Sequence, residues 1–592
     1  MSYSNSFPTQ RPSLNLVFNG GSDQLDSRIS YSRSSTATAF SSERHLSSEN
    51  FLKYSNDLSN ADWNKARVTV GSTNNTAPDG SSTASSVLET AVTDTHTFYD
   101  QYTSVSGVSY THTVFAKANG RTKFKLYTRD ANATFDLTAV TATATGMDAV
   151  SITALGSSWF KCVATEAATN TLGILQIELM DGTATNYAGD VTKGMFFWGM
   201  QASSTGETVL NQTSGSIHRS FAPTLKSHSS DQPRFEYDPA DGQSVAKGLL
   251  IEAQKSNLAL NSNDFTNATW NKQRVTVTPS ASIGPDGQLS ASLIAENTDT
   301  TTIHFMLPTA AITSGYSVGT DKSTHSVFAK YAGRNLRMTD GYNPADGGST
   351  IFDLQNGTVV SGGGSIQSCG NGWYRCSVTM TMSASTLLLP YIQLVDGTTW
   401  PNASDAGDGY SGVLLFGCQT EQQSMSSYIT TGSSTVTKSA DSCSVDLDGI
   451  LASGQDVTLY AEGDWGDYTV IPYNRFLAAL SENTDPSWIA LYNAGSSGAS
   501  YIKYENNLEA VQTGVAANGN QKSAVSVAMN SINHAAAGVA STEDTSATVP
   551  PYTQLNIGNN RDAGNMSLNG HCTRVALYGQ ALSSTELAAL TS

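Results

Sequence analysis

Residues 56–70 read NDLSNADWNKARVTV and residues 263–277 read NDFTNATWNKQRVTV, so one stretch of sequence is written twice in the chain. Their tryptophans, Trp63 and Trp270, lie 270 − 63 = 207 residues apart. The echo continues in order, with THTVFAK (111–117) against THSVFAK (324–330), SWFKC (158–162) against GWYRC (372–376), and IELMDGT (177–183) against IQLVDGT (392–398). A repeat of this length exceeds a solenoid unit and predicts two tandem domains of one fold.

Short alternating segments separated by turn residues fill both copies. KFKLYTRD (123–130) and YRCSVTMTM (374–382) alternate apolar and polar residues, and PDG turns recur at 78–80 and 285–287. Helical periodicity is confined to the last residues, where Ser583 is a suitable N-cap. The pattern predicts an all-β chain with two tandem jelly-roll β-sandwich modules, a third β-sandwich at the C-terminus and a small N-terminal β framework.

Composition and charge exclude several classes of partner. The 592 residues carry 32 basic against 50 acidic side chains, a net charge of −18 without a basic cluster, which predicts no nucleic-acid binding. No apolar run approaches the ~20 residues that span a bilayer, and the N-terminus lacks a secretory pattern, so no membrane insertion is expected.

The six cysteines show neither metal-ligand nor disulfide-scaffold spacing. We expect reduced thiols, with one alternative: Cys369 and Cys376 flank a GNG turn and can face each other across a hairpin.

Segments outside the copies resemble a family of bacteriophage virion proteins. SLNLVFNGGSDQLDSRISYSRSSTATAF (13–40) and PRFEYDPADGQSVAKGLLIEAQKSNLALNS (233–262) are similar to consecutive pieces of one motif in tail-fibre, head-fibre and carbohydrate-binding-domain proteins of phages. GSSTVTKSADSCSVDL (432–447) and LNGHCTRVALYGQALSSTELAAL (568–590) resemble the entry and the end of that family's concanavalin/LamG-like sandwich. The chain departs from the family at Lys255, where arginine is usual, and in carrying the first module between the two motif pieces.

The resemblance implies both an organisation and a function. The predicted units are 1–48, a virion-attachment framework segment; 49–222, jelly-roll module 1; 223–256, a framework continuation; 257–438, jelly-roll module 2; and 439–592, a LamG-like sandwich. The expected function is that of a non-catalytic virion appendage, a homotrimer that contacts other virion proteins and attaches to host cell-surface glycans. The alternatives are a capsid decoration or tail scaffold with protein contacts alone, and a polysaccharide-degrading glycosidase.

The position of the first module leads to a structural prediction. Because relatives carry the two motif pieces close together, the module is interpreted as an insertion, which requires the ends of the interrupted framework to be close in space. We therefore expect residues 13–40 to lie against residues 233–256.

Catalytic signals are few. Glu462, Asp464 and Asp467 resemble the ExDxxE strand of laminarinase-like glycosidases, and alternation places the first two on one sheet face. The third position departs from that motif, and acidic residues at a strand end are usually solvated. The repeated His112 and His325 are expected to bond a neighbouring strand rather than a ligand.

Aromatic residues give the glycan candidates, because rings stack on sugar faces. Tryptophans that recur at fixed places, such as Trp159 and Trp373, are expected to be buried. Trp400 differs, because its loop (396–412) is longer and more aromatic than its counterpart (181–194). Trp400 and Tyr410, with Tyr187 in the first copy, are therefore the predicted glycan-stacking residues.

The same loops share a Gly-Asp pair, Gly189-Asp190 and Gly407-Asp408. Two interpretations stay open for these aspartates. Asp190 and Asp408 can contribute to a structural calcium site, or each can close a turn on its own backbone. No other cofactor is expected.

Overall fold

The computed structural model describes most of the chain as an assembly of antiparallel sheets. The described residues are 11–18, 23–71, 75–240, 245–299, 303–313, 317–341, 349–382, 385, 387–399, 406–464, 474–482, 488–494, 500–504, 507–512, 520–545, 548–560 and 567–592. The side chains of residues 474, 493, 494, 500–512 and 520 are not described.

The first half of the chain contains two framework strands, a long strand and the first copy of the repeat. Its strands are β1 (Leu14–Val17), β2 (Ile29–Ser32), β3 (Ala37–Asn50), β4 (Asn64–Ala66), β5 (Val68–Val70), β6 (Ser85–Glu89), β7 (Thr93–Asp94), β8 (Thr97–Thr103), β9 (Ser109–Asn119), β10 (Lys123–Tyr127), β11 (Asn132–Asp136), β12 (Thr141–Thr145), β13 (Ala149–Ala154), β14 (Phe160–Ala167), β15 (Leu172–Met180), β16 (Tyr187–Ala188), β17 (Gly194–Ser203) and β18 (His218–His228). A 3-10 turn, Gly156–Ser158, precedes β14.

Two more framework strands lead to the second copy. These strands are β19 (Phe235–Tyr237), β20 (Ala246–Ile251), β21 (Lys255–Asn257), β22 (Trp270–Gln273), β23 (Val275–Ser282), β24 (Ala291–Glu296), β25 (Phe305–Pro308), β26 (Ile312–Thr313), β27 (Lys322–Ala332), β28 (Asn335–Asp340), β29 (Thr350–Asp353), β30 (Thr358–Ser361), β31 (Ser365–Ser368), β32 (Trp373–Thr381), β33 (Leu387–Leu388), β34 (Pro390–Val395), β35 (Gly412–Gln422) and β36 (Val436–Lys438).

The C-terminal part continues as strands and ends in one short helix. Its elements are β37 (Ser442–Asp446), β38 (Val457–Asp464), β39 (Asn474–Ser481), β40 (Trp488–Ala494), β41 (Ser500–Tyr504), β42 (Asn507–Gln512), β43 (Asn520–Ala528), β44 (Ser531–Ala536), β45 (Val539–Ala540), β46 (Gln554–Ile557), β47 (Gly570–Tyr578) and α1 (Ser584–Thr591). Ser583 caps α1 in a reciprocal capping box with Glu586, as its sequence predicts. In the part of the chain that the structure describes, no helix is long and apolar enough to cross a membrane.

The two copies have the same strand order in both of their sheets. One sheet runs β4-β8-β15-β10-β11-β12 in the first copy and β22-β25-β34-β28-β29-β30 in the second. The other runs β5-β6-β17-β9-β14-β13 and β23-β24-β35-β27-β32-β31. Each pair of sheets encloses one apolar core, in which Trp63 and Trp270 occupy equivalent places. The predicted β-sandwich fold and the duplication are therefore confirmed.

The third sandwich is assembled from three separated parts of the chain, and we call it the framework sandwich. Its first sheet has the order β19-β20-β47-β38-β43-β44-β45, with β1 also paired to β47, and its second runs β2-β37-β46-β39-β40-β41-β42. Leu14, Phe235 and Val575 share its core, although they come from opposite ends and the middle of the sequence. Strands β1, β2, β19 and β20 are thus built into the same sandwich as the C-terminal strands.

Each copy leaves and returns to the framework sandwich through two neighbouring antiparallel strands, which we call its stalk. The first stalk pairs β3 with β18 over most of their length, and the second pairs the three-residue strands β21 and β36. Entry and exit through adjacent strands is the geometry that an inserted domain requires.

A buried ion network lies where the two stalks meet the framework sandwich. Asp441 accepts from Arg234 Nη2 at 2.5 Å and from Arg33 Nη1 at 3.2 Å, and Arg234 Nη1 also donates to Glu252 at 2.8 Å. Lys438 Nζ lies 3.5 Å from Glu252. All five side chains are buried, so each charge depends on the others for the polar contacts that water would otherwise supply.

The network joins the two pieces of the phage-like motif. Arg33 Nη1 donates to Gln232 O at 3.0 Å, and Arg234 Nη1 donates to Thr38 O at 3.1 Å. The predicted contact between residues 13–40 and residues 233–256 is therefore confirmed. Arg33, Arg234 and Glu252 belong to the quoted motif pieces, which gives those charged positions a structural reason.

All six cysteines are free and buried. Cys376 belongs to the core between the sheets of the second copy, whereas Cys369 packs in a separate cluster with Trp373 on the outer side. The alternative that these two thiols face each other across a hairpin is wrong, because they lie on opposite faces of the sheet.

Candidate functional site

The predicted loop residues of the first copy form a compact polar cluster. Tyr187 is 9% exposed and its hydroxyl donates to Glu89 Oε1 at 2.6 Å, while the Arg121 guanidinium lies 4.9 Å from the centre of its ring. Arg121 also binds Glu89 at 2.6 Å and Asp181 at 2.8 Å. The ring that was predicted to stack on a sugar is therefore already covered by a guanidinium.

The second copy repeats the charged part of this cluster with the equivalent residues. Arg334 binds Glu296 at 2.5 Å, and its other contacts are Asp408 at 3.6 Å and Asp396 at 3.8 Å. Burial raises the pKa of Glu296 to about 7, and the nearby Asp408 carboxylate acts in the same direction.

In the first copy, the pKa of the equivalent glutamate, Glu89, is shifted in the opposite direction. Burial alone would raise the pKa of Glu89, but hydrogen bonds from Arg121 and Tyr187 bring it below the usual value. In both copies the arginine and glutamate hold a loop against the edge of a strand.

The repeated Gly-Asp pair is part of the same arrangement. A Cβ at Gly189 would collide with Thr90 O, and one at Gly407 with Asn297 O, so only glycine allows the loop to pass this close. The next residue then donates its backbone N–H to the glutamate, Asp190 to Glu89 and Asp408 to Glu296, both at 2.8 Å.

The aspartate side chains close turns on their own backbone. Asp190 Oδ1 accepts from Thr192 N and Oγ1, and Asp408 Oδ1 accepts from the backbone N–H groups of Tyr410 and Ser411. Calcium needs several oxygen ligands, whereas the groups that face these carboxylates are donors. Among the described residues, no group of three or more His, Cys, Asp or Glu side chains is arranged to hold a metal ion. The geometry therefore favours the turn interpretation over the calcium interpretation.

Tyr410 lies between the two copies rather than in an open loop. Its ring packs edge-on against Phe115 at 5.3 Å and Trp198 at 5.9 Å, both in the first copy. Gly156 of the first copy also donates its N–H to Asp408 O at 3.0 Å. Tyr410 is thus occupied as an interface residue and its ring is not free for a sugar. Trp400 lies outside the described residues, so its role stays a prediction.

The recurrent tryptophans are buried, but not all lie between the sheets. Trp159 and Trp373 are each 1% exposed, as expected. Trp159 packs with Phe115 and Trp198 on the outer face of the first copy, and Trp373 packs with Phe328 and Phe416 on the equivalent face of the second. Each of these aromatic triads is covered by a neighbouring part of the chain.

The repeated histidines hold strands together. His112 Nε2 lies 2.8 Å from the hydroxyl of Tyr102, and His325 Nδ1 lies 3.0 Å from Thr420 Oγ1. The expectation that the ring bonds a neighbouring strand is confirmed for His325, whereas His112 bonds a strand of the facing sheet.

A cleft of about 520 Å³ separates the second copy from the framework sandwich, and we call it the polar cleft. Its floor is the outer face of β31 and β32. Strand alternation places four polar side chains of β32 on this face: Arg375, Ser377, Thr379 and Thr381. Ser365 and Gln367 of β31 pair with Ser377 and Arg375 across the two strands.

The opposite wall of the polar cleft belongs to the framework sandwich. Glu236, Lys247, Asp464 and His571 line it, from four different strands. Glu236 lies 2.6 Å from His571 Nε2 and 3.7 Å from Lys247 Nζ. Burial would raise the pKa of Glu236, yet the contacts with His571 and Lys247 lower it to about 2.

The acidic strand end contributes one residue to this wall. Asp464 lines the polar cleft, whereas Glu462 accepts from the hydroxyl of Tyr460 at 3.1 Å. Asp467 lies outside the described residues. A glycosidase needs one carboxyl group that is protonated when the substrate binds, and a pKa of about 2 keeps Glu236 ionised.

Sequence reasoning missed the floor of the polar cleft, although the repeat contains its signal. Lys161, Val163, Thr165 and Ala167 of the first copy align with Arg375, Ser377, Thr379 and Thr381 of the second. The face is polar at all four positions only in the second copy. A comparison of the copies by strand face, rather than by loop length, would have found it.

No family model matches the sequence, and no curated protein matches it either. Among solved structures, the chain is similar to the CBM40 domain of a Ruminococcus gnavus IT-sialidase, with 14% identity and a TM-score of 0.20 over 24% of this chain and 84% of that one. It is also similar to the CBM22-1–CBM22-2 tandem domain of Paenibacillus barcinonensis Xyn10C, with 12% identity and a TM-score of 0.19 over 64% of this chain and 98% of that one. Likenesses at this level do not bear on ligand or activity.

Proposed function

We propose that the chain is a structural subunit of a bacteriophage virion appendage and binds glycans of the host cell surface without cleaving them. Its framework sandwich would contact other virion proteins, and the subunit would act as a homotrimer in the virion. The resemblance to the phage motif supports the proposed place in a virion, and the charged residues of that motif form the buried network that anchors both stalks.

The observation that carries the binding part of the proposal is the polar cleft. Its floor presents hydroxyl, amide and guanidinium groups on one rigid strand pair, and these groups can hydrogen-bond to sugar hydroxyls. Regular strands hold such groups in place better than loops do. The ionised Glu236 suits binding more than acid catalysis.

Replacing the polar floor by the residues of the first copy tests this proposal. The double variant Ser377→Val, Thr381→Ala keeps side chains that the same fold accepts at the equivalent strand positions. We expect its binding to a glycan array and to host cells to fall by about thirtyfold, since two hydrogen bonds are lost and each is worth about 1 kcal/mol. The full chain should keep its melting temperature.

The matched control makes the reverse change in the first copy, Val163→Ser with Ala167→Thr, and should leave glycan binding unchanged. If the wild-type chain binds no glycan and neither variant alters adsorption, glycan attachment is excluded. Loss of particle assembly in the floor variant would instead favour the scaffold alternative. Release of reducing sugar by the wild-type chain would favour the glycosidase alternative.

A further inference from the structure

We propose that the polar cleft recognises an acidic saccharide, and that Arg375 binds the carboxylate of one of its sugar residues. This inference rests on the proposed glycan-binding function and names the class of glycan.

Arg375 is a buried cation whose donors are mostly unused. It is 8% exposed and lines the floor of the polar cleft. Its Nη2 donates to Ser326 Oγ at 3.2 Å, its Nε has no partner, and its guanidinium lies 5.2 Å from the centre of the Phe328 ring. A guanidinium that lines a cleft and makes one side-chain hydrogen bond keeps further N–H donors for an acceptor in that cleft.

The carboxylates nearest to Arg375 are engaged elsewhere. Glu236 is bound by His571, Glu252 by Arg234, and Glu421 accepts from the hydroxyl and backbone N–H of Ser426. None of them lies within 4.0 Å of the Arg375 guanidinium. The three carboxylates act on Arg375 only through their charge, and they do not accept hydrogen bonds from its guanidinium.

Other buried arginines of the chain show what is missing at this position. Arg33 and Arg234 each contact Asp441, and Arg121 contacts Glu89. Arg375 has the same degree of burial without a carboxylate of its own. In a chain of net charge −18, an unpaired buried guanidinium that faces a cleft is suited to an external anion.

The chemistry of the cleft favours a carboxylate on a sugar over a free ion. The planar guanidinium can donate two parallel hydrogen bonds to a carboxylate. Ser365, Gln367 and Ser377 lie beside it on the floor and can meet the hydroxyls of the same sugar ring. Lys247 on the opposite wall is 3.7 Å from Glu236, so this lysine balances the carboxylate that faces Arg375 across the cleft.

The first copy supplies a natural comparison. Lys161 aligns with Arg375, and burial lowers its pKa to about 8, partly opposed by Glu207. A lysine has the positive charge of arginine but cannot donate two parallel hydrogen bonds. Arg375→Lys therefore tests the hydrogen-bonding geometry while keeping the charge, at a position where the fold accepts both residues.

The test measures calorimetric binding of oligouronates and of their methyl esters to the full chain. The ester keeps every ring hydroxyl and removes only the charge. We expect the acid to bind at least about tenfold more tightly than the ester, because charged hydrogen bonds exceed neutral ones. Arg375→Lys should lose most of that preference, and Arg375→Met all of it, with the melting temperature recorded for each variant.

Lys161→Arg in the first copy is the matched control and should change neither affinity. Equal affinities of the wild-type chain for acid and ester would overturn the acidic-saccharide inference while leaving glycan binding intact. A preference that survives in Arg375→Lys and Arg375→Met would overturn the role of Arg375. Absence of binding to any glycan, acidic or neutral, would overturn the proposed function and this inference together.

Discussion

The two copies of the repeat share one strand order but differ in what covers their outer faces. In the first copy, Tyr410 of the second copy lies on the aromatic triad around Trp159. In the second copy, Phe40 and Leu225 of the first stalk cover the equivalent triad around Trp373. Beyond that triad, the face of the second copy continues as the floor of the polar cleft. All four β32 residues on this floor are polar, whereas two of the four equivalent residues in the first copy are apolar.

The core and the outer face of this duplicated domain have therefore diverged separately. The core positions between the sheets stay apolar in both copies, because both pairs of sheets must fill an enclosed interior. The residues of the outer faces differ between the copies, because each face packs against a different part of the chain. The binding surface is therefore sought where the copies differ, and not where they agree.

The largest expected effect concerns what the copies share, the buried ion network at the base of both stalks. Asp441→Ala leaves Arg33 and Arg234 without their common carboxylate, which should cost about 3–5 kcal/mol of the free energy of unfolding. Hydrogen exchange of the full chain should rise in both stalks and in the framework sandwich, and less within either copy. Asp26→Ala, which breaks an exposed pair with Arg28, is the control and should have little effect.

An intermediate effect distinguishes the two covered triads. Tyr410→Ala should expose the first triad and Phe40→Ala the second, each with a loss of about 2 kcal/mol of burial free energy. Hydrogen exchange should then increase around Trp159 in one variant and around Trp373 in the other. The same response at both triads in each variant would show that the two faces are not covered independently. Tyr127→Ala, on a half-buried strand position, serves as the control.

The smallest effect is a difference in pH dependence between the two loop clusters. The lowered pKa of Glu89 means that its ionised form stabilises the fold above its usual pKa of 4.5, and that this contribution is lost as the pH falls. The pKa of Glu296, raised to about 7, means the reverse: its contribution is present below pH 4.5 and is lost as the pH rises toward 7.

Substitution by glutamine should therefore have opposite pH slopes in the two copies. Glu89→Gln should cost more at pH 7 than at pH 4, and Glu296→Gln should cost less at pH 7 than at pH 4. Unfolding free energies from denaturant titration at the two pH values check this. Parallel slopes would contradict the assignment of different charge states to the two glutamates.

Much of the fold could be predicted from the sequence, because its strongest signals are periodic. Alternation along β10 and β32, the recurring PDG turns and the repeated tryptophans indicate two sandwiches of one kind. Proximity of residues 13–40 to residues 233–256 also followed, from the order of the motif pieces. Strand pairing of β1 and β2 with C-terminal strands did not follow, because partners more than 400 residues apart leave no local pattern.

The candidate site was harder to predict, because contacts between domains decide it. Loop length and aromatic content pointed to Tyr410 and Tyr187, but the structure places the first in an interface and the second over a guanidinium. Arg375 and Ser377 looked like ordinary outward residues of an alternating strand. Only the framework sandwich opposite them makes their face one side of a cleft.

The most direct test of the central claim is a crystal structure of the full chain with a bound oligosaccharide selected on the array. We expect sugar density in the polar cleft, with hydrogen bonds to Arg375 and Ser377, and none on the equivalent face of the first copy around Lys161 and Val163. Sugar bound on that face of the first copy, or bound only by the 396–412 loop around Trp400, would contradict the claim that the second copy and the framework sandwich together form the glycan site.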